Sequence, residues 1–160
     1  MVQSLLMSID ARLKALGIEL PEPPQAGGNY VAAKRVGQTC YLSGVVSAHR
    51  GTVLEGVVGG DRSVQDGYYA ARACGMSHLA VLRTALGSLD EVESIVSVTG
   101  FVNCVRGFTE TPAVLNGYTD LMVDVFGDGG RPTRAAVGVA ALPRHAMVET
   151  QAIVALKAKL

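Results

Sequence analysis

The sequence contains no tryptophan, and only five tyrosines, three phenylalanines and three cysteines are spread over its 160 residues. So few flat rings leave little surface on which unpaired bases could stack. Lysine and arginine total 14, as do aspartate and glutamate, so the formal net charge is zero and no excess of cations offers a face to a phosphate backbone. Nucleic acid is therefore a disfavoured partner. Cys40, Cys74 and Cys104 are odd in number and far apart, form no CxxC pair, and have no histidine at metal-ligand spacing. That usage suits a reducing cytoplasm. No run approaches the roughly 18 apolar residues of a membrane span. The start, MVQSLLMSIDARLKALG, has no basic stretch ahead of its apolar residues, and Asp10, Arg12 and Lys14 stand where a signal peptide would stay hydrophobic. A cytoplasmic protein is expected. The phosphate-loop pattern GxxxxGK[ST], the nucleophile elbow GxSxG and paired histidines at i,i+4 are also missing, so neither a metal nor a cofactor is expected.

What is present is a chain 49% hydrophobic and 18% charged. At this length one domain can bury about 70% of its unfolded surface without a disulfide or metal staple. Ser8 can cap a short helix with Ile9, Leu13 and Leu16 on one stripe and Gly17 as its stop. The run Pro21-Glu22-Pro23-Pro24-Gln25-Ala26-Gly27-Gly28 must be an extended connector, because proline locks φ and lacks the helical N–H. Residues 1–28 thus read as an arm and connector, and residues 29–160 as the domain.

Tyr30–Val36 and Thr39–Gly44 read as a hairpin around Gly37-Gln38, followed by an irregular strand over Val53–Val58. Ser63 with Asp66 three residues on opens a long helix. Its stripe, Val64, Tyr68, Ala71, Gly75, Leu79, Leu82 and Leu86, runs to Gly87. A strand is expected from about Ser94 to Val102. Thr111 as a cap before Pro112 starts a second helix ending at Gly127. Thr133–Leu142 and Met147–Leu156 read as a second hairpin joined by Pro143–Ala146. The order predicts an α+β domain, a single sheet of about five or six strands with two long helices on one face. In the last strand Val148, Thr150, Ala152, Val154 and Leu156 alternate with Glu149, Gln151, Ile153 and Ala155, so neither side is plainly solvated. Another copy of the chain is the economical cover for the face without helices.

Two charges in this apolar tail need partners or water: Arg134 heading one β-run and Glu149 near the head of the next. An ion pair or a pair of edge charges satisfies that requirement. So does a site in which the arginine binds an anion and the carboxylate holds a water. In the second case a nearby Arg134 would favour the ionised form of Glu149.

The run Pro132-Thr133-Arg134-Ala135-Ala136-Val137-Gly138-Val139-Ala140-Ala141-Leu142-Pro143, followed by Val148-Glu149 and Ala152, resembles the R-x-x-V-x-V-x-x-L-P and V-E pattern of the Rid family, also called YjgF or endoribonuclease L-PSP. Tyr30 with Ser43-Gly44 thirteen residues on, the strand Val98–Asn103, and Asn116 fall in the family's order, so the resemblance spans about residues 29 to 157. The first 28 residues resemble the N-terminal extension of a divergent branch. The resemblance implies a chorismate-mutase-like α+β fold, a homotrimer, and ligand clefts between subunits. It further implies that Arg134 grips the carboxylate of a 2-imino acid and Glu149 positions the attacking water. Tyr30, Ser43, Gly44 and Asn116 would line the cleft, and the backbone of Ala136 would bond the reacting end. This chain departs from the pattern at Asn29, Val45, Ala136, Gly138 and Gln151, which alters pocket polarity and size. The implied activity is hydrolysis of imines or enamines of carboxylate-bearing substrates. A non-catalytic ligand-binding or chaperone-like trimer using the same cleft is the alternative, and ribonuclease activity a more remote one.

Overall fold

The longest helix owes its start to a reciprocal cap. The Ser63 hydroxyl accepts from the Asp66 N–H at 3.1 Å while the Asp66 carboxylate accepts from the Ser63 N–H at 2.9 Å. The helix α2 (Val64–Leu86) then runs until Gly87 takes φ +81, a conformation that costs glycine nothing. In this computed structural model, which describes residues 6–159, a short helix α1 (Ile9–Ala15) lies near the start, capped by Ser8. A third, α3 (Thr111–Phe126), covers the sheet beside α2. Thr111 is not the cap of α3, contrary to the sequence expectation. Pro112 supplies the preset φ of the first turn, and the Thr111 hydroxyl instead donates to the Ala136 carbonyl at 2.9 Å.

The strands are β1 (Ala33–Val36), β2 (Thr39–Val46), β3 (Ala48–His49), β4 (Thr52–Val53), β5 (Val92–Asn103), β6 (Thr133–Val139) and β7 (Val148–Leu156). Five of them form one sheet in the order β1-β2-β7-β5-β6, and β3 and β4 make a separate two-stranded ribbon. The expected strand over Val53–Val58 shrinks to that ribbon, and Tyr30 to Ala32 lie outside β1. The first hairpin forms around Gly37 as read from sequence, with Gly37 at φ +59.

The second hairpin does not exist. β5 lies between β6 and β7, pairing parallel with the first and antiparallel with the second. The chain between Val139 and Val148 therefore crosses over β5 instead of making a tight turn, and Arg144 and His145 sit there at φ +57 and +58. A strand's alternation shows which residues share a face but does not say which strand it joins.

The core fills the space between the two long helices and the sheet, with Leu42, Ile95, Val98, Val102, Val148 and Val154 on the sheet side. α1 is docked on this body. Leu13 is buried in the core cluster, the Ile9 N–H donates to Asp90 Oδ1 at 2.8 Å, and Arg12 Nε donates to the Asp124 carbonyl. The opposite sheet face carries no helix, and Tyr41 and Val137 stand half-exposed on it.

Candidate functional site

The register of the sheet decides where each candidate residue points. Val98 of β5 is paired with Arg134 on one side and Ala152 on the other, and Val98 and Ala152 are buried under the helices. Arg134 therefore projects to the helix side at the exposed edge strand. There its Nη1 donates to Asn116 Oδ1 at 2.9 Å and to Thr119 Oγ1 at 3.1 Å. Asn116 and Thr119 are three residues apart on α3, so one face of that helix presents both acceptors. Among the described residues no carboxylate lies within 4.0 Å of the guanidinium. The result is an oriented fork beside a shallow cavity of about 240 Å³, shared with Asp120, Arg131 and Pro132. Ala136 follows on the same side of β6, its carbonyl taken by Thr111.

Glu149 occupies the other face. It pairs in register with Val46 of β2 and Phe101 of β5, both one step out of phase with the buried positions. The bulge in β2 between Leu42 and Val45 brings Gly44 beneath its carboxylate, where a Cβ would stand 2.5 Å from Glu149 Oε1. Only glycine leaves that room. Burial pushes the Glu149 carboxyl above its usual range, with no cation acting against it. Tyr30, Ser43 and Gly44 line the same cavity, of about 450 Å³, together with the connector Pro24–Gly27. Ser43 Oγ donates to the Val31 carbonyl at 2.6 Å, and the Tyr30 hydroxyl accepts from the Gly27 N–H at 3.0 Å, folding the connector over the cavity.

A buried chain of hydrogen bonds holds this bulge from below. A carbonyl can only accept, so His78 Nε2 carries the proton and donates to the Ser43 carbonyl at 3.0 Å. His78 Nδ1 is then the acceptor for the Tyr118 hydroxyl at 2.8 Å. Burial pushes His78 down to about 4, which keeps it neutral and able to play both parts near pH 7.

The predicted residues thus fall into two groups. Arg134, Asn116 and Ala136 gather at the edge strand, and Tyr30, Ser43, Gly44 and Glu149 gather on the open face. The two residues lie two strand spacings apart across the sheet, roughly 10 Å, and three residues apart along it, at Val98 and Phe101 of β5, and they project to opposite faces. The expectation that Arg134 would hold Glu149 ionised does not apply within one chain, where burial raises that carboxyl instead. Sequence reasoning missed Thr119, legible only as the i+3 partner of Asn116. It also left His78 and Arg144 without a role, since nothing local marks a buried histidine chain or a left-handed arginine. No group of three or more His, Cys, Asp or Glu able to hold a metal occurs among the described residues, and no described helix is long and apolar enough to cross a membrane.

The chain is thus an α+β domain with an oriented arginine at its edge strand and a carboxyl set over a glycine bulge. The family model described as "YjgF/chorismate_mutase-like, putative endoribonuclease" matches residues 10–158, and the chain belongs to this family, also called Rid. The chain is 40% identical over 150 residues to protein TCP17 of Trypanosoma cruzi, covering 92% of this chain and 94% of that one. It is 33% identical over 140 residues to a 2-iminobutanoate/2-iminopropanoate deaminase of Dermatophagoides farinae, covering 88% and 95% respectively. A crystal structure of an Agrobacterium tumefaciens protein of unknown function superposes with a TM-score of 0.85 at 38% identity, covering 94% of each chain.

Proposed function

We propose that the protein hydrolyses reactive 2-imino acids to 2-oxo acids and ammonia, in clefts between the subunits of a homotrimer. The observation that carries this reading is the separation of two uncompensated groups. Among the described residues the Arg134 fork is held by neutral acceptors with no carboxylate within 4.0 Å, and the Glu149 carboxyl, raised by burial, has no cation within 4.0 Å. Each is half of a site, and a second copy packed on the helix-free face would bring its own Arg134 edge to the Glu149 of this chain. The matched deaminase supports the reaction class.

In such a cleft the guanidinium fork binds the substrate carboxylate through two parallel N–H donors, which fixes the C=N carbon relative to Glu149. A raised carboxyl is a stronger base once ionised, so Glu149 accepts a proton from a water as its oxygen bonds to that carbon. Glu149 passes that proton to the nitrogen, and the resulting carbinolamine collapses as its hydroxyl proton moves to the amine, the C=O forms and the C–N bond breaks. One water is consumed for each 2-oxo acid and ammonia released. The water supplies the oxygen, and no electrons change hands. The family's endoribonuclease label has little support here: a net charge of zero gives the chain no cationic excess for a polyanion.

The test is ammonia release from freshly generated 2-iminopropanoate and 2-iminobutanoate. The wild type is expected to accelerate it, and Arg134→Ala to lose about a hundredfold or more of kcat/KM, the scale of a charged bidentate contact. A wild type that leaves the spontaneous rate unchanged would overturn the reading and favour a binding role for the same cleft.

A further inference from the structure

The cavity beside Glu149 holds one charged group that the reaction above does not use. Arg144 lines it, and the titratable side chains on the lining among the described residues are Tyr30, Arg144 and Glu149. No carboxylate lies within 4.0 Å of the Arg144 guanidinium among the described residues. Nor does any cation offset the burial that raises Glu149. Opposite charges on one cavity wall that do not collapse onto each other leave room for something between them.

The backbone holds Arg144 in place at a cost. Arg144 and His145 adopt left-handed φ of +57 and +58 in succession, a conformation that disfavours side chains with a Cβ. Three hydrogen bonds hold the loop: the Gly56 N–H donates to the His145 carbonyl at 3.0 Å, His145 N–H to Leu142 at 3.2 Å, and Ala146 N–H to Pro143 at 3.2 Å. Glu55 bridges Ala146 beside them. The guanidinium is carried on a loop tied down by its own backbone hydrogen bonds.

Size points the same way. A cavity of about 450 Å³ is at the scale that takes ligands well beyond three or four carbons. With the 2-carboxylate assigned to Arg134 and the water to Glu149, the remaining anion contact belongs to the far end of the substrate. Resting on the reading above, we infer that Arg144 is a specificity-determining residue that binds a distal carboxylate, so that the preferred substrates are 2-imino dicarboxylates.

The experiment compares 2-iminopentanedioate with 2-iminobutanoate, generated in situ, for the wild type, Arg144→Gln and Arg144→Lys. The wild type is expected to favour the dicarboxylate by about tenfold or more in kcat/KM, the scale of one charged hydrogen bond. Arg144→Gln brings the ratio close to one, and Arg144→Lys restores part of it. A wild-type ratio near one, or an unchanged ratio in Arg144→Gln, overturns the inference. Calorimetric binding of the stable 2-oxopentanedioate and 2-oxobutanoate separates this result from failure of the hydrolase reading. If no imine is turned over, tighter binding of the dicarboxylate that Arg144→Gln abolishes still upholds the distal contact, and equal binding of the two ligands overturns it.

Discussion

At the scale of single residues, Gly44 carries more of the site than its lack of a side chain suggests. The carboxylate of Glu149 lies in the space a Cβ would occupy. What obstructs that Cβ is the far end of a side chain, not backbone, so Gly44→Ala is expected to move the carboxylate and not to break the fold. Urea denaturation should show a change within about 1 kcal/mol, in the range of substitutions that leave the core intact. Imine hydrolysis should fall by about tenfold or more, as for a catalytic group displaced by an ångström. A variant with full activity would show that Glu149 need not lie where it does.

At the scale of elements, the chain Tyr118 to His78 to Ser43 ties α3 and α2 to the bulged strand β2 through the centre of the core. A buried neutral histidine makes the fold sensitive to acid. Its folded pKa of about 4 lies below the ordinary histidine value of 6.5, so its contribution is complete above about 6.5 and is lost as pH falls toward 4. The loss amounts to about 3 kcal/mol at roughly 1.4 kcal/mol per pH unit. Glu149 acts in the opposite sense. With its folded pKa raised, it favours the fold most at low pH and loses that contribution as pH rises through its folded value. Chemical denaturation between pH 7 and 4 should therefore show stability falling in the wild type. The slope should be clearly shallower in His78→Gln, which removes the titration while keeping a donor and an acceptor. Equal slopes would mean that burial does not depress the His78 pKa in the folded protein.

At the scale of the whole molecule, the helix-free sheet face is what the proposed trimer would cover. Ile153 pairs with Tyr41 and Ser97 on that face, and Val137 stands beside Phe101. Exposed apolar groups in such a sheet favour covering by another copy. Sedimentation equilibrium of the wild type is expected to give a mass near three chains of 16.6 kDa. Ile153→Glu, which places a charge in the middle of the helix-free face, should give monomers and lose imine hydrolysis with them, because in the proposed trimer the Arg134 and Glu149 halves would no longer meet. Monomers that kept full activity would require one chain to bring both halves together.

Local physics made much of this protein legible in its sequence. The Ser63–Asp66 cap, the Gly37 turn and Gly87 set element ends through contacts a few residues long, and apolar periodicity marked the buried faces of α2 and α3. The run from Arg134 to Pro143, with Glu149 after it, identified the family and the two charges of the candidate site. What the sequence left open depends on which elements meet. The place of β5 between β6 and β7 follows from strand pairing, which side-chain alternation does not encode. The opposite faces of Arg134 and Glu149 follow from that pairing. So do the burial that raises Glu149, the histidine chain under Ser43 and the nearness of Arg144 to the Glu149 cavity. Each arises from groups distant in the chain brought together by packing, and only the tertiary structure decides which groups those are.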